Sequence, residues 1–157
     1  MGDRLQNYEL IHIATHGFLI NASEPELSGL VLSLFDEDQQ LKNGFLRLND
    51  VFNLKLNANL LVLSACETGL GENVQGEGLV GLSRGFMYAG VPRIVMSLWQ
   101  VSDEATAEFM TRFYQNLLAD QLPAAAALKE TQREMREETR WTHPYYWSAF
   151  ILQGEWQ

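Results

Sequence analysis

Short apolar runs alternate with longer amphipathic stretches along this chain, and that alternation is the feature that most constrains its fold. Two of the runs, Asn59–Ala65 and Arg93–Trp99, are almost continuously apolar, which is typical of strands buried on both faces. A third run, Tyr8–Ala14, also predicts a strand. Strands separated by helices pair in parallel and place the helices on the faces of the sheet. The pattern therefore predicts an α/β fold with a mainly parallel sheet.

The stretches between the runs carry helix signals. Apolar residues recur at helical spacing over Gly76–Ala89, and a glycine and a proline follow. Ser102 can cap a helix that extends to about residue 118, and Pro123 can open another that extends to about residue 138. The weaker segments complete the prediction, with a helical turn at Leu46–Asn53 and strands at Leu30–Phe35 and Tyr145–Leu152.

Composition excludes several classes of protein. The chain has 157 residues, which is about one domain's worth of sequence. Its 11 Lys and Arg residues against 20 Asp and Glu residues give a net charge of −9, which disfavours both nucleic acid and anionic membrane surfaces as partners. No apolar run approaches the roughly 20 residues of a membrane span. A single cysteine allows no internal disulfide, so we expect a reducing, cytoplasmic location.

Two reactive side chains directly follow predicted strands. His16 comes after the first strand, and Cys66 comes after the Asn59–Ala65 run. Ligands of open parallel sheets bind at the carboxyl ends of the strands, so we expect the imidazole and the thiol to share one cleft, on loops at one edge of the sheet. Histidine is the usual base that activates a thiol near neutral pH. The backbone N–H groups of Gly17 and Cys66 can then form an oxyanion hole.

Each of these residues also has an ordinary structural interpretation. A lone cysteine is most often a small buried hydrophobic residue, and a histidine after a strand is most often a hydrogen-bonded loop residue. Their joint placement at strand ends, beside turn glycines, favours the catalytic interpretation. The other histidines are too scattered to make a convincing zinc site. We expect His12 to pack beneath a helix and His143 to be an extended connector before Pro144.

A glycine pattern in the middle of the chain resembles a dinucleotide-binding loop only formally. Gly76–Gly81 fits G-x-G-x-x-G, but Cys66–Gln75 separates it from the preceding strand, whereas a dinucleotide-binding loop turns directly from strand to helix. We therefore interpret Gly78, Gly81 and Gly85 as positions that let a helix pack closely on the sheet.

Five blocks of sequence together resemble one known family. Ile11–Gly17 (IHIATHG) resembles the histidine block of clan CD cysteine peptidases, and Leu60–Gly71 (LLVLSACETGLG) resembles the cysteine block of the CHAT domains, which are relatives of caspases and separases. Three further blocks continue the family pattern in the same order: Gly76–Gly90, Ile94–Asp103 and His143–Gly154. The histidine and the cysteine of caspases are about 50 residues apart, as His16 and Cys66 are here.

The resemblance implies a caspase-like α/β/α sandwich over residues 1–157, with His16 as base, Cys66 as nucleophile and no metal or organic cofactor. It also implies that the family's N-terminal strands and helices are missing, so that this domain is the C-terminal part of a longer domain or protein that carries tetratricopeptide repeats or another regulatory domain. The implied activity is endopeptidase cleavage of protein or peptide substrates. Two alternatives are a non-proteolytic interaction module that retains the fold and a thiol hydrolase that acts on small molecules.

The resemblance extends to a substrate pocket. Ser97–Asp103 (SLWQVSD) is similar to a stretch of separases in which an acidic residue helps to receive a basic side chain. It implies a pocket with Asp103 at its edge and with Ser97 and Trp99 as its walls, to which Glu67 adds negative charge. We therefore expect cleavage after Arg or Lys. The alternative role for Asp103 is to stabilise the first turn of a helix through the helix dipole.

Overall fold

A computed structural model describes residues 5–19, 28–35, 38–64, 66–69, 77–138 and 140–156. The strands of this part of the chain are β1 (Leu10–Ile13), β2 (His16–Leu19), β3 (Gly29–Val31), β4 (Phe45–Arg47), β5 (Leu60–Leu63), β6 (Cys66–Gly69), β7 (Arg93–Ser97) and β8 (Phe150–Gly154). The α-helices of the same ranges are α1 (Leu48–Phe52), α2 (Glu77–Tyr88), α3 (Asp103–Tyr114) and α4 (Ala124–Glu138).

The first sheet has the strand order β1-β5-β7-β8. β1, β5 and β7 run parallel, and β8 pairs with β7 in the antiparallel direction. The carboxyl ends of the three parallel strands, at Ile13, Leu63 and Ser97, therefore lie along one edge of the sheet. This mainly parallel sheet confirms the predicted fold class.

Strand β5 shows how the sheet is covered on both faces. All four of its residues are buried. Leu61 and Leu63 belong to a core cluster with Phe86 of α2, whereas Leu60 and Val62 belong to a second cluster with residues of α3 and α4. Because successive residues of a strand point to opposite faces, the continuous apolar run fills both cores. The result is a three-layer α/β/α sandwich.

The helix boundaries agree with the capping signals in the sequence. The Ser102 side chain accepts a hydrogen bond from the backbone N–H of Ala105 at 3.3 Å, which satisfies one donor of the first turn of α3. After Tyr114 the helix continues as a π-helical segment over Gln115–Ala119. Pro123 directly precedes α4, as predicted.

A second sheet, with the order β4-β3-β2-β6, is the main departure from the sequence prediction. His16 and Cys66 do not lie on loops, because each begins a short strand of this sheet. β2 pairs with β6 in parallel and with β3 in the antiparallel direction. The strands of this second sheet are only 3 or 4 residues long. The predicted strand Leu30–Phe35 corresponds to the shorter β3, and the other three strands are too short to give a periodic signal in the sequence.

The closing strand is also shorter than predicted. It begins at Phe150, whereas the preceding segment forms a 3-10 turn over Pro144–Tyr146. Proline has a fixed φ and no N–H, which suits the start of a helical turn. His143 is extended and accepts a hydrogen bond from the backbone N–H of Tyr145 at 3.2 Å. The expected extended connector is therefore confirmed.

Gly81 and Gly85 of α2 lie next to α1 rather than the sheet, and the surroundings of Gly78 lie outside the described residues. A β-carbon at Gly85 would lie 3.0 Å from Leu48 Cδ1 and 3.1 Å from Val51 Cγ1. At Gly81 the nearest atom, Leu48 Cδ2, would be 3.6 Å away, which is ordinary contact. The predicted partner of these glycines is thus corrected.

We expect Gly90→Ala to destabilise the fold. Gly90 follows α2 with a φ of +113°, and a β-carbon there would lie 2.5 Å from the Leu56 carbonyl oxygen. The cost should be on the order of 1–3 kcal/mol, which lowers Tm by roughly 2–12 °C for a chain of this size. Thermal unfolding followed by circular dichroism measures it. Gly81→Ala is the matched control and should not lower Tm, because alanine favours a helix. Equal Tm values for the two variants would contradict this account of Gly90.

Candidate active site

The candidate site forms where two neighbouring strands pass from the first sheet to the second. β1 ends at Ile13 and β2 begins at His16, while β5 ends at Leu63 and β6 begins at Cys66. The chain segments are parallel neighbours on both sides of this passage, because Ile13 pairs with Leu63 in the first sheet and His16 pairs with Cys66 in the second. Both connections have the same length in sequence, so the register is the same before and after the passage.

His16 and Cys66 are therefore direct register partners. Adjacent strands lie about 4.7–4.9 Å apart, so their backbones are separated by a single strand spacing. The His16 side chain is exposed and Gly17 is buried. Glu67 is the register partner of Gly17, and the side chains of Cys66 and Glu67 lie outside the described residues. The backbone thus brings together the two positions at which the sequence predicts a base and a nucleophile.

The backbone of His16 is also held from its other side. His16 pairs with Val31 of β3, and the Thr15 hydroxyl donates a hydrogen bond to the carbonyl oxygen of Val31. His16 therefore stands in the middle of a row formed by β3, β2 and β6. A residue fixed by neighbours on both sides starts from a defined backbone position, which favours a defined direction for its imidazole.

The other histidine of this region lies on β1 and faces α3, as the alternation of the strand predicts. The ring centroids of His12 and Tyr114 are 5.6 Å apart, and His12 Nε2 lies 3.1 Å from the Ser64 Oγ. Burial lowers the pKa of His12 below its ordinary value of 6.5 and raises the pKa of Tyr114 to about 12. Both side chains are therefore mainly neutral at about pH 7.

The residues predicted to form a substrate pocket follow one another after β7. Ser97 ends that strand and is buried, Trp99 is partly buried in the following loop, and Asp103 is the exposed first residue of α3. The position of Asp103 is one at which a carboxylate stabilises a helix. Ser97 lies on the same sheet edge as Ile13 and Leu63, after which the chain leads to His16 and Cys66.

Tyr145 holds the loop that follows β7, a role that the sequence pattern did not predict. The indole N–H of Trp99 donates a hydrogen bond to the Tyr145 carbonyl oxygen at 3.0 Å. The Tyr145 hydroxyl donates one to the Gln100 carbonyl oxygen at 2.6 Å, and the Trp99 and Tyr145 ring centroids are 6.4 Å apart. The one local signal near Tyr145 is the proline at position 144, because the residue before a proline often ends a secondary-structure element. That signal predicts a turn here but not the contact with Trp99.

Metal-binding and membrane-spanning features can be assessed only for the part of the chain that the structure describes. In these residues no group of three or more His, Cys, Asp and Glu side chains is arranged to hold a metal ion. Within the same ranges, no helix has both the length and the apolar character needed to cross a membrane.

A mainly parallel sheet covered by helices on both faces, with a histidine strand and a cysteine strand at its carboxyl edge, defines a caspase-like α/β protein. The chain belongs to the CHAT domain family, whose sequence profile matches residues 2–155. CHAT domains are part of the caspase-like clan. The resemblance carried by the five sequence blocks is thereby confirmed.

Two mammalian proteins are similar to part of the chain. "Tetratricopeptide repeat protein 28" of Mus musculus is 35% identical over 105 residues, which cover 67% of this chain and 4% of that protein. The Homo sapiens protein of the same name is 34% identical over 105 residues, with the same coverage of 67% and 4%. The chain therefore matches only a small part of the length of these relatives.

Proposed function

We propose that this chain is a cysteine endopeptidase domain in which His16 and Cys66 form the catalytic pair. The observation that carries the proposal is the pairing of His16 with Cys66 in parallel strands at the carboxyl edge of the main sheet. A nucleophile and its base must come within hydrogen-bond reach of each other. Direct register partners satisfy the backbone part of that requirement. Membership of a caspase-like family supports the same chemistry.

In the proposed mechanism, His16 removes the proton from the Cys66 thiol, and the thiolate attacks the carbonyl carbon of the scissile peptide bond. The backbone N–H groups of Gly17 and Cys66 stabilise the oxyanion that forms. His16 returns the proton to the leaving amine, and the C–N bond breaks to leave a thioester on Cys66. A water molecule deprotonated by His16 then attacks the thioester and releases the carboxylic acid and the free thiol. No metal or organic cofactor takes part.

The proposed substrate is an extended protein or peptide segment with Arg or Lys before the scissile bond. Asp103 would receive the basic side chain, Ser97 and Trp99 would wall the pocket, and Glu67 would add negative charge beside the nucleophile. The hydrogen bonds of Tyr145 to Trp99 and Gln100 support this assignment, because a fixed wall orients a substrate at lower entropic cost than a mobile one. The net charge of −9 favours cationic substrates at long range.

The proposed setting is the cytoplasm, with tetratricopeptide repeats or another regulatory domain attached to the peptidase domain in the full-length protein. The lone cysteine supports a reducing compartment. The names of the two mammalian relatives support tetratricopeptide repeats as the accompanying module. Neither nucleic acid nor a membrane is a proposed partner.

A second candidate function is an interaction module that retains the fold without cleaving substrates. β4 is an outer strand of the second sheet, and its Phe45 is 42% exposed. Phe35 and Leu41, which pair in the same hairpin, are 53% and 78% exposed. Apolar surface beside an outer strand is typical of a protein contact. The two candidate functions differ in the reactivity that they require of the Cys66 thiol: a peptidase needs a thiol that His16 activates, and an interaction module does not.

Alkylation of Cys66 by iodoacetamide separates these candidates, because the chain has one cysteine and mass spectrometry reports that thiol alone. At about pH 7 an unassisted thiol is only a few per cent thiolate, whereas a thiol paired with histidine is largely ionised. We therefore expect His16→Ala to slow alkylation roughly tenfold or more. His143→Asn is the matched control, because asparagine can still accept the hydrogen bond from Tyr145 N, and it should leave the rate unchanged. Equal rates in the parent and His16→Ala would overturn the catalytic pair.

A further inference from the structure

We infer that His12 is a positioning residue for the catalytic pair. Its hydrogen bond to Ser64 holds the ends of β1 and β5 together, just before the chain continues to His16 and Cys66. This inference rests on the proposed function, because it concerns how that pair is held. Neither His12 nor Ser64 contacts the reacting atoms in the proposed mechanism. Their contribution would act through the backbone that leads to His16 and Cys66.

The hydrogen bond between His12 and Ser64 lies at the ends of β1 and β5. His12 is the last residue but one of β1, and Ser64 directly follows β5. His16 is four positions after His12, and Cys66 is two positions after Ser64. The bond therefore joins the two chain segments at their last contact in the first sheet, immediately before both enter the second sheet.

Ser64 is held by β1 through two different groups. Its backbone N–H donates a hydrogen bond to the Ile13 carbonyl oxygen at 3.0 Å, and its side-chain Oγ lies 3.1 Å from His12 Nε2. The backbone bond continues the ladder between β1 and β5, and the side-chain bond adds a contact on the α3 side of the sheet. Two bonds of different direction restrict both the position of Ser64 and its rotation, and so the direction in which the chain continues toward Cys66.

The His12 ring, although exposed, also has a contact that does not involve Ser64. Tyr114 of α3 packs on the ring at a centroid distance of 5.6 Å and an interplanar angle of 43°. On the neighbouring position of α3, Phe113 is completely buried in the core and lies 5.5 Å from the Tyr114 ring. The His12 ring is therefore contacted on one side by a helix that is anchored in the core.

The expected loss of Cys66 reactivity depends on how far His16 and Cys66 move apart when the bond between His12 and Ser64 is removed. Displacement of a catalytic group by about 1 Å can lower a rate by about 10²-fold. Loss of one hydrogen bond near the pair should allow a smaller displacement, so we expect about a tenfold loss of the His16-dependent reactivity of Cys66. A histidine that merely filled space beside Tyr114 would affect stability and leave the reactivity of the thiol unchanged.

Two substitutions at position 12 separate the hydrogen bond from the ring packing. His12→Phe keeps an aromatic ring beside Tyr114 and loses the bond to Ser64. His12→Gln loses the ring and places an amide at nearly the same distance along the side chain as Nε2, where it can bond to Ser64 Oγ. We expect His12→Phe to alkylate Cys66 about tenfold more slowly than the parent and His12→Gln to retain most of the parental rate. A packing role predicts that both variants alkylate at the parental rate and that only the stability of His12→Gln falls.

Ser64→Ala removes the same bond from the other side and serves as the second test. It should lower the alkylation rate about as much as His12→Phe, and the double variant should be no slower than either single variant, because both remove one interaction. Circular dichroism confirms that each variant is folded. Rates equal to that of the parent in both His12→Phe and Ser64→Ala would overturn this inference alone. A parent whose alkylation does not depend on His16 would overturn both this inference and the proposed function.

Discussion

Replacing Cys66 with alanine should lower the rate of peptide cleavage by about 10³-fold or more, while the fold persists. The rate falls because no other group in the proposed mechanism can form the acyl-enzyme. The stability cost should be on the order of 1 kcal/mol, as for an average point variant. The measurement is the initial rate of cleavage of a fluorogenic peptide with arginine before the scissile bond, made beside a thermal unfolding curve of each protein.

Two further variants make this result specific. His16→Ala should cause a loss of similar size, and the Cys66→Ala/His16→Ala double variant should be no slower than Cys66→Ala, because the residues of a catalytic unit are not additive. His143→Asn should cleave at the parental rate. Cleavage that persists in purified Cys66→Ala protein would show that another residue is the nucleophile.

Asp103→Asn should lower kcat/KM for peptides with arginine before the scissile bond far more than for peptides with glutamine there. Loss of one partner of a buried charge pair typically costs about 2–5 kcal/mol, and because Asp103 is exposed in the free chain, the lower end of that range, a factor of roughly 30, is expected. The competing role of Asp103, stabilisation of the first turn of α3, is worth only about 0.3–1 kcal/mol of stability. A peptide library that varies this one position measures the difference.

Glu104 supplies the matched control for this prediction. It is exposed and lies beside Asp103 in the first turn of α3, so Glu104→Gln removes the same charge from the same helix end. It should leave the preference between arginine and glutamine nearly unchanged. If Asp103→Asn and Glu104→Gln have the same cleavage profile as the parent, Asp103 is a helix-terminus residue and does not set specificity.

The parts of the fold that could be predicted are those with a strong local signal. The apolar run that became β5 is long enough to identify a buried strand, and Ser102 and Pro123 mark the starts of α3 and α4. The same reasoning predicts His16 and Cys66 as the catalytic pair, because each follows a predicted strand. Family membership then confirmed the class of protein that this arrangement indicates.

The parts that could not be predicted depend on partners distant in sequence. β6 has the sequence CETG, which has no apolar periodicity, and it is a strand because β2 lies beside it. The bond between Trp99 and Tyr145 joins residues 46 positions apart. Composition and periodicity describe only neighbours along the chain, so neither contact left a signal there.

β1 leads into β2 and β5 leads into β6, so both chain segments pass from the first sheet to the second, and this determines which parts of the site can move together. His16 and Cys66 both belong to the second sheet, whereas Ser97 ends a strand of the first sheet. β1 and β2, and likewise β5 and β6, are only two residues apart in sequence. In the proposed mechanism, a small tilt of the second sheet would move the base and the nucleophile together and change their distance from the wall that aligns the substrate. Under the proposed function, a partner that imposes such a tilt would change which peptide bonds are cut without altering the proposed catalytic step.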